Sequence, residues 1–216
     1  MALFEIPYEL MPKLGLICNL LVVSGGCWHF KKSGHFDKHL ILPFVLSSVP
    51  MAFLGGMYPL NEKTFLSLLA VTLFMAGLRL LFVSRFNQGQ VSRPKKSISM
   101  VVGGLLGFLS GLVALGGGIF LAPLMLNLKW GTPKQVAATA SVFIFLNSLA
   151  GLLGQMSKGI PSELISYWPL FVAVLIGGQI GSWIGSHQKI SQVLIQRGTA
   201  VLILIVSSRL LWKLIH

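Results

Sequence analysis

An all-α, polytopic membrane fold of about seven transmembrane helices in two unequal repeats is what this sequence predicts, on three observations. The 216 residues are 54% hydrophobic and only 10% charged, with a mean hydropathy of +0.81. A soluble domain carries about 25% charged residues, so most of this surface belongs in lipid. The apolar runs have the length of membrane spans, about 20 residues each. Features also recur along the chain with an offset of 126 positions, Pro7 matching Pro133 and Pro43 matching Pro169.

The runs lie roughly at 9–30, 39–58, 64–84, 98–126, 134–157, 164–186 and 191–214. The first contains Lys13 and Asn19. A charge near the bilayer centre costs at least ~2.5 kcal/mol, but a lysine near a span end can snorkel. Cys18 and Cys27 sit in the same run, too far apart along one helix for a disulfide. The second run holds Pro43 and Pro50, the fourth Pro123 and the sixth Pro169. A backbone bond lost to proline at membrane depth must be satisfied by a neighbouring helix or a cavity, so these spans pack on one another. The third and seventh runs end in LRLL and SRLL, which place Arg79 and Arg209 about one turn from the helix ends. Snorkelling is the plain reading of both arginines, and anion attraction at a pore mouth the sharper one. The fifth run opens on Thr132 and Pro133, a capping residue followed by proline at the first helical position.

Charge sets the orientation. The 17 basic and five acidic residues give a formal net charge of +12, but they cluster between apolar runs instead of forming the single basic face of a nucleic-acid binder. One connection carries Arg85, Arg93, Lys95 and Lys96; another carries Lys31, Lys32 and Lys38 against Asp37. With seven spans these two loops share a face, and the positive-inside rule makes that face cytoplasmic, with the C-terminus. Lys129, Lys134, Lys189 and Arg197 then fall opposite, so the bias is modest. The expected location is the inner, or plasma, membrane. Asp37 and Glu163 read as loop acids.

The repeat assigns residues 1–90 to a first, N-terminally incomplete repeat of about three spans, and 91–216 to a second of about four. Asn19 and Asn147, and Gly55 and Gly181, correspond within it. The long glycine-rich span before the second copy has no counterpart before Pro7. About 40 residues, with a first motif helix, are therefore expected to be absent upstream; a true seven-span chain is the alternative.

The chemistry concentrates in that glycine-rich span, GGLLGFLSGLVALGGGIFLAP. Gly103, Gly107 and Gly111, four apart, predict a stripe that lets helices approach closely. Gly116, Gly117 and Gly118 are adjacent, and each costs a helix up to ~1 kcal/mol relative to alanine, with Pro123 removing a further donor. The helix should break there. A break at membrane depth faces protein or water, and the resumed helix presents free N–H groups and a positive dipole end, which suits an anion. The following run carries Thr139, Ser141, Asn147, Ser148 and Gln155. Such groups either glue helices together or line a polar path. Gly116, Gly117, Gly118, Pro123, Thr139, Ser141 and Asn147 are the candidate substrate-binding residues.

The run SGLVALGGGIFLAPLMLNLKWGTPKQVAATASVFIFLNSLAGLLG resembles the signature of the TauE/SafE sulfite-exporter family. Ala114 to Gly118, Pro123, Gly131, Pro133, Ala137, Thr139, Ser141, Ser148 and Gly151 occupy its places. The departures are the missing first motif helix and Ala140, which stands where the family often runs threonine directly into serine. The resemblance implies two repeats of four spans. It also implies a transporter of sulfite, sulfonates or related small anions, driven by a coupling ion such as a proton or sodium.

An intramembrane enzyme would need paired acids or a nucleophile and base within the bilayer. All five acids lie outside or at the ends of the runs, and neither HExxH nor GxSxG occurs. His29, His35, His39 and His187 lack metal-site spacing. No enzyme activity, cofactor, metal or nucleic acid is expected; the partners expected are a small anion, the bilayer, a coupling ion and further copies of the chain in a homo-oligomer. The competing reading is a membrane assembly or regulatory subunit that does not transport, or an inactive truncated transporter.

Overall fold

The computed structural model describes residues 7–32, 37–82, 91–159, 161–186 and 192–215. Arg85, His35, His187 and Lys189 lie outside the described residues. The described residues form helices α1 (Met11–Lys32), α2 (Lys38–Met57), α3 (Glu62–Phe82), α4 (Lys96–Val113), α5 (Gly118–Asn127), α6 (Pro133–Met156), α7 (Trp168–Ser186) and α8 (Gln192–Ile215). A short 3-10 turn, Ser162–Tyr167, precedes α7. Five of the helices are long and apolar enough to cross a membrane. The chain is a polytopic, all-helical membrane protein, as its apolar runs predict.

Helix starts follow local chemistry. Asp37 caps α2, its Oδ1 accepting from the backbone N–H groups of His39 and Leu40. Its other oxygen accepts from Arg93 at 3.2 Å. Asp37 is therefore more than a loop acid, since it fastens the start of α2 to the approach to α4. Thr132 and Gln135 form a reciprocal capping box at α6, with Pro133 at the first position.

α2, α4 and α6 lie side by side and run in the same direction. A Cβ at Gly107 or Gly111 of α4 would strike the backbone of Ser48 or Ala52, and one at Gly103 would lie 2.6 Å from the Phe44 carbonyl oxygen. Gly151 and Gly154 of α6 make the same kind of backbone approach to Gly56 and Phe53 of α2. The glycine stripe is thus a packing surface. α3 packs antiparallel on α8, with Met11, Phe65, Leu66, Ala70 and Leu210 forming a core at one end of the bundle. α1 packs antiparallel on α6 and along α7, where Val22 meets Gly178.

The fourth run is not one span. α4 ends at Val113, residues 114–117 turn, and α5 returns toward the end of the bundle from which α4 came. The Ser92 N–H donates to the Lys129 carbonyl at 2.9 Å, joining the two ends of this hairpin. The Trp130 ring lies 6.0 Å from that of Phe44, in a core with Leu40, Leu121, Met125, Val136 and Phe143. Two sequence expectations change as a result. Lys129 and Lys134 fall at the same end as Lys38, Arg93, Lys95 and Lys96, not opposite them. α8 finishes beside Met11 and Phe65, at the end away from those lysines. The return of the fourth run places the close of α8 opposite the basic loops, where a single fourth span would pair the two.

α5 ends in a Schellman turn. The Trp130 N–H donates to the Met125 carbonyl and the Lys129 N–H to that of Leu126, while Lys129 has φ 56°. A left-handed residue with a Cβ costs roughly 1–2 kcal/mol, and Lys129 is exposed. Lys129→Gly is expected to stabilise the protein by about 1 kcal/mol, raising the unfolding temperature by roughly 2–4 °C. A lower unfolding temperature would instead assign the lysine side chain a structural role.

Candidate functional site

The hairpin tip builds the site. Ala114, Gly116 and Gly117 all have positive φ, at 59°, 69° and 70°. Glycine is needed at 116 and 117 for space as well as conformation. A Cβ at Gly116 would lie 2.8 Å from Ile144 Cγ2 and 3.2 Å from both Asn19 Nδ2 and Ser148 Oγ. One at Gly117 would lie 2.9 Å from Phe143 Cε1 and 3.2 Å from the Leu106 carbonyl oxygen and Ser110 Cβ. Side chains of α1, α4 and α6 thus close on bare backbone, and Asn19 Nδ2 donates to the Ala114 carbonyl at 3.3 Å.

α5 begins within this cradle. The N–H groups of Phe120 and Leu121 donate to the Gly117 carbonyl. Those of Gly118 and Ile119, the first two residues of the helix, precede the first intrahelical bond and carry the positive end of its dipole. Near this turn, Ser110 Oγ, Ser148 Oγ and both amide atoms of Asn147 are buried without a hydrogen-bond partner among the described residues. Asn147 is fully buried, on the α6 stripe between Phe143, which abuts Gly117, and Gly151, which abuts Gly111. Native proteins pair the large majority of buried side-chain polar atoms, and each orphan costs about 1–3 kcal/mol. These three residues gather unpaired polar atoms within an otherwise apolar part of the bundle.

The candidate residues separate on this geometry. Gly116, Gly117 and Gly118 form the break, and Asn147 lies on the helix stripe facing it. Pro123 lies inside α5, beyond the tip. The Thr139 and Ser141 hydroxyls donate to the Gln135 and Ala137 carbonyls of their own helix, at 2.8 and 2.9 Å. Their donors are therefore engaged, and both residues precede Phe143 on α6. Ser110 was passed over in the sequence, although it lies in the same glycine-rich stretch; Ser148 was visible as a polar residue in an apolar run. Arg79 of α3 lines an open cavity of about 460 Å³ with Met75, Leu78 and Phe120, the third residue of α5. Among the described residues no cluster of His, Cys, Asp and Glu could hold a metal ion.

The family described as "Sulfite exporter TauE/SafE" matches residues 1–210. The chain is 32% identical over 203 residues to "Probable membrane transporter protein y4hK" of Sinorhizobium fredii, covering 91% of this chain and 81% of that protein. It is 32% identical over 108 residues to "Probable membrane transporter protein YunE" of Bacillus subtilis, covering 50% of this chain and 39% of that one. A "Probable membrane transporter protein" of Haemophilus influenzae is 32% identical over 93 residues, or 43% and 33% of the two chains. No solved structure gives a significant match.

Proposed function

The chain belongs to the sulfite exporter TauE/SafE family, and on that premise we propose that it is a secondary transporter of small sulfur-containing or organic anions, of the sulfite or sulfonate type. The observation that carries this reading is the set of buried Ser110, Asn147 and Ser148 side chains, unpartnered among the described residues, near the uncapped N-terminus of α5. A desolvated anion needs donors, and each hydrogen bond to a charged group contributes about 1.5–3 kcal/mol. Two hydroxyls, one amide and the first N–H groups of a helix supply them without a buried cation. Sulfite and sulfonate oxygens accept hydrogen bonds in several directions, which matches donors arriving from α4, α5 and α6. Arg79, near the side of the hairpin, would attract anions to its approach.

In this reading the basic end faces the cytoplasm, with Lys38, Arg93, Lys95, Lys96, Lys129 and Lys134 gathered there. The connections 58–61 and 157–167 at the far end contain Lys158 alone among lysines and arginines. The packing of α1 on α6 and of α3 on α8, with α2 on α6 answered by α7 on α1, supports a two-repeat architecture divided near residue 90. A proton or sodium gradient would drive the transport, and no catalytic chemistry is assigned.

Reconstituted in liposomes, the wild-type chain is expected to carry sulfite or a sulfonate down its gradient. Gly117→Leu, which must clear Phe143 and hold a positive φ, should lower that flux at least about tenfold, the kinetic equivalent of ~1.4 kcal/mol. Equal flux in the two proteins would remove the break from the site. No anion flux in the wild type would favour the non-transporting subunit.

A further inference from the structure

A second cluster of polar groups lies at the far end of the bundle, away from the basic loops. The start of α1, the ends of α2, α4 and α6 and the connection into α3 enclose a cavity of about 200 Å³, its lining including Lys13, Lys158, Gln155, Tyr8, Tyr58 and Glu9. A water takes about 30 Å³, so the space admits a small oxyanion with part of its hydration. Lys13 is only 5% exposed, and its ammonium has one long contact, to the Glu9 carbonyl at 3.4 Å. Lys158 Nζ donates to the Tyr58 carbonyl at 2.7 Å. Neither ammonium is paired with a carboxylate among the described residues, where the single salt bridge is Arg93–Asp37 at the opposite end. Glu9, the acid in the lining, is exposed and makes no ion pair there. The Gln155 side chain is 6% exposed and lines the same cavity.

We propose that Lys13 and Lys158, with Gln155, form an anion-binding station for a small oxyanion, separate from the glycine break. Two like charges face one cavity, which is unfavourable unless an anion lies between them. Lys158 is exposed overall, yet partial desolvation of its ammonium first, and then the charge of Lys13, hold it below the ordinary lysine range. An oxyanion there would accept from both ammonium groups and the Gln155 amide. Leu112 closes the inner side of the cavity, two residues before the turn at Ala114. The station therefore adjoins the hairpin tip, on the side away from the basic loops.

The chemistry fits either a free oxyanion or the phosphate of a lipid headgroup, and one experiment separates them. The full chain is placed in phosphatidylcholine nanodiscs and treated with an acetylating reagent, in sodium sulfate or in sodium chloride of equal ionic strength. Acetylation of each lysine is followed by mass spectrometry. Sulfate is expected to slow modification of Lys158 several-fold, leaving Lys38 and Lys134, equally exposed but at the opposite end, unchanged. Lys13→Met keeps the apolar stem and should weaken this protection about tenfold. Protection that requires phosphatidylglycerol in the disc assigns the same station to a lipid headgroup. No protection in either disc, equal slowing at Lys38 and Lys134, or full protection in Lys13→Met would overturn the proposal. The readout needs no transport, and Asn147→Leu should retain the protection, so failure here is distinct from failure of the transporter reading.

Discussion

Asn147→Leu is expected to make the protein more heat-stable and less able to transport. Both amide atoms of Asn147 are buried without a hydrogen-bond partner among the described residues, and the side chain is fully inaccessible. Leucine is similar in size and leaves no polar atom unsatisfied. The desolvation cost of an orphaned group is about 1–3 kcal/mol, so the unfolding temperature should rise by roughly 2–4 °C per kcal/mol recovered. If the amide donates to a transported anion, the same substitution removes a charge-assisted hydrogen bond and weakens apparent affinity by roughly 10–100-fold. Thermal unfolding of the purified protein and concentration-dependent uptake into liposomes measure the two effects. A residue with only a packing role would not shift stability and transport in opposite directions. A fall in unfolding temperature with unchanged uptake would assign Asn147 to structure alone.

Gly111→Val is expected to destabilise the bundle by about 3 kcal/mol or more, at the upper range of overpacking. A Cβ here would strike the Ala52 carbonyl oxygen and lie 2.7 Å from the Gly56 nitrogen. Both obstacles are backbone, so no rotamer change relieves them and α4 must move off α2. The hairpin tip would move with α4, so transport should be lost as well. Gly104→Ala is the control, since its Cβ would meet Met51 Cγ at an ordinary 3.7 Å. That substitution should be neutral, or stabilising by about 0.5–1 kcal/mol through helix propensity. Equal unfolding temperatures for Gly111→Val and Gly104→Ala would contradict the close approach of α2 and α4.

Features decided by local chemistry could be read along the chain. Apolar run length set the helices to within a few residues. Thr132, Pro133 and Gln135 set the start of α6. Three adjacent glycines set the break, because backbone entropy and missing side chains act at the residues themselves. The direction of the chain after the break was a tertiary decision. An apolar run from 98 to 126 reads as one span whether the segment after Gly118 continues or returns. The return rests on contacts between residues far apart in sequence, Trp130 with Phe44 and Ser92 with Lys129, and on positive φ values at Ala114 and Gly117 that composition does not encode. That return moved Lys129 and Lys134 to the basic end and the close of α8 to the other.

Tertiary structure also sorted the polar residues of α6, which look alike in sequence. Thr139 and Ser141 donate to carbonyls one turn back, whereas Asn147, on the stripe facing the hairpin tip, has no partner. Lys13 and Lys158 stand 145 positions apart, and only the meeting of the α1, α2 and α6 ends brings both to one cavity. Hydrophobicity and capping act over a few residues and can be read along the chain. The convergence of polar groups on one point depends on helix packing, which the chain fixes only once folded.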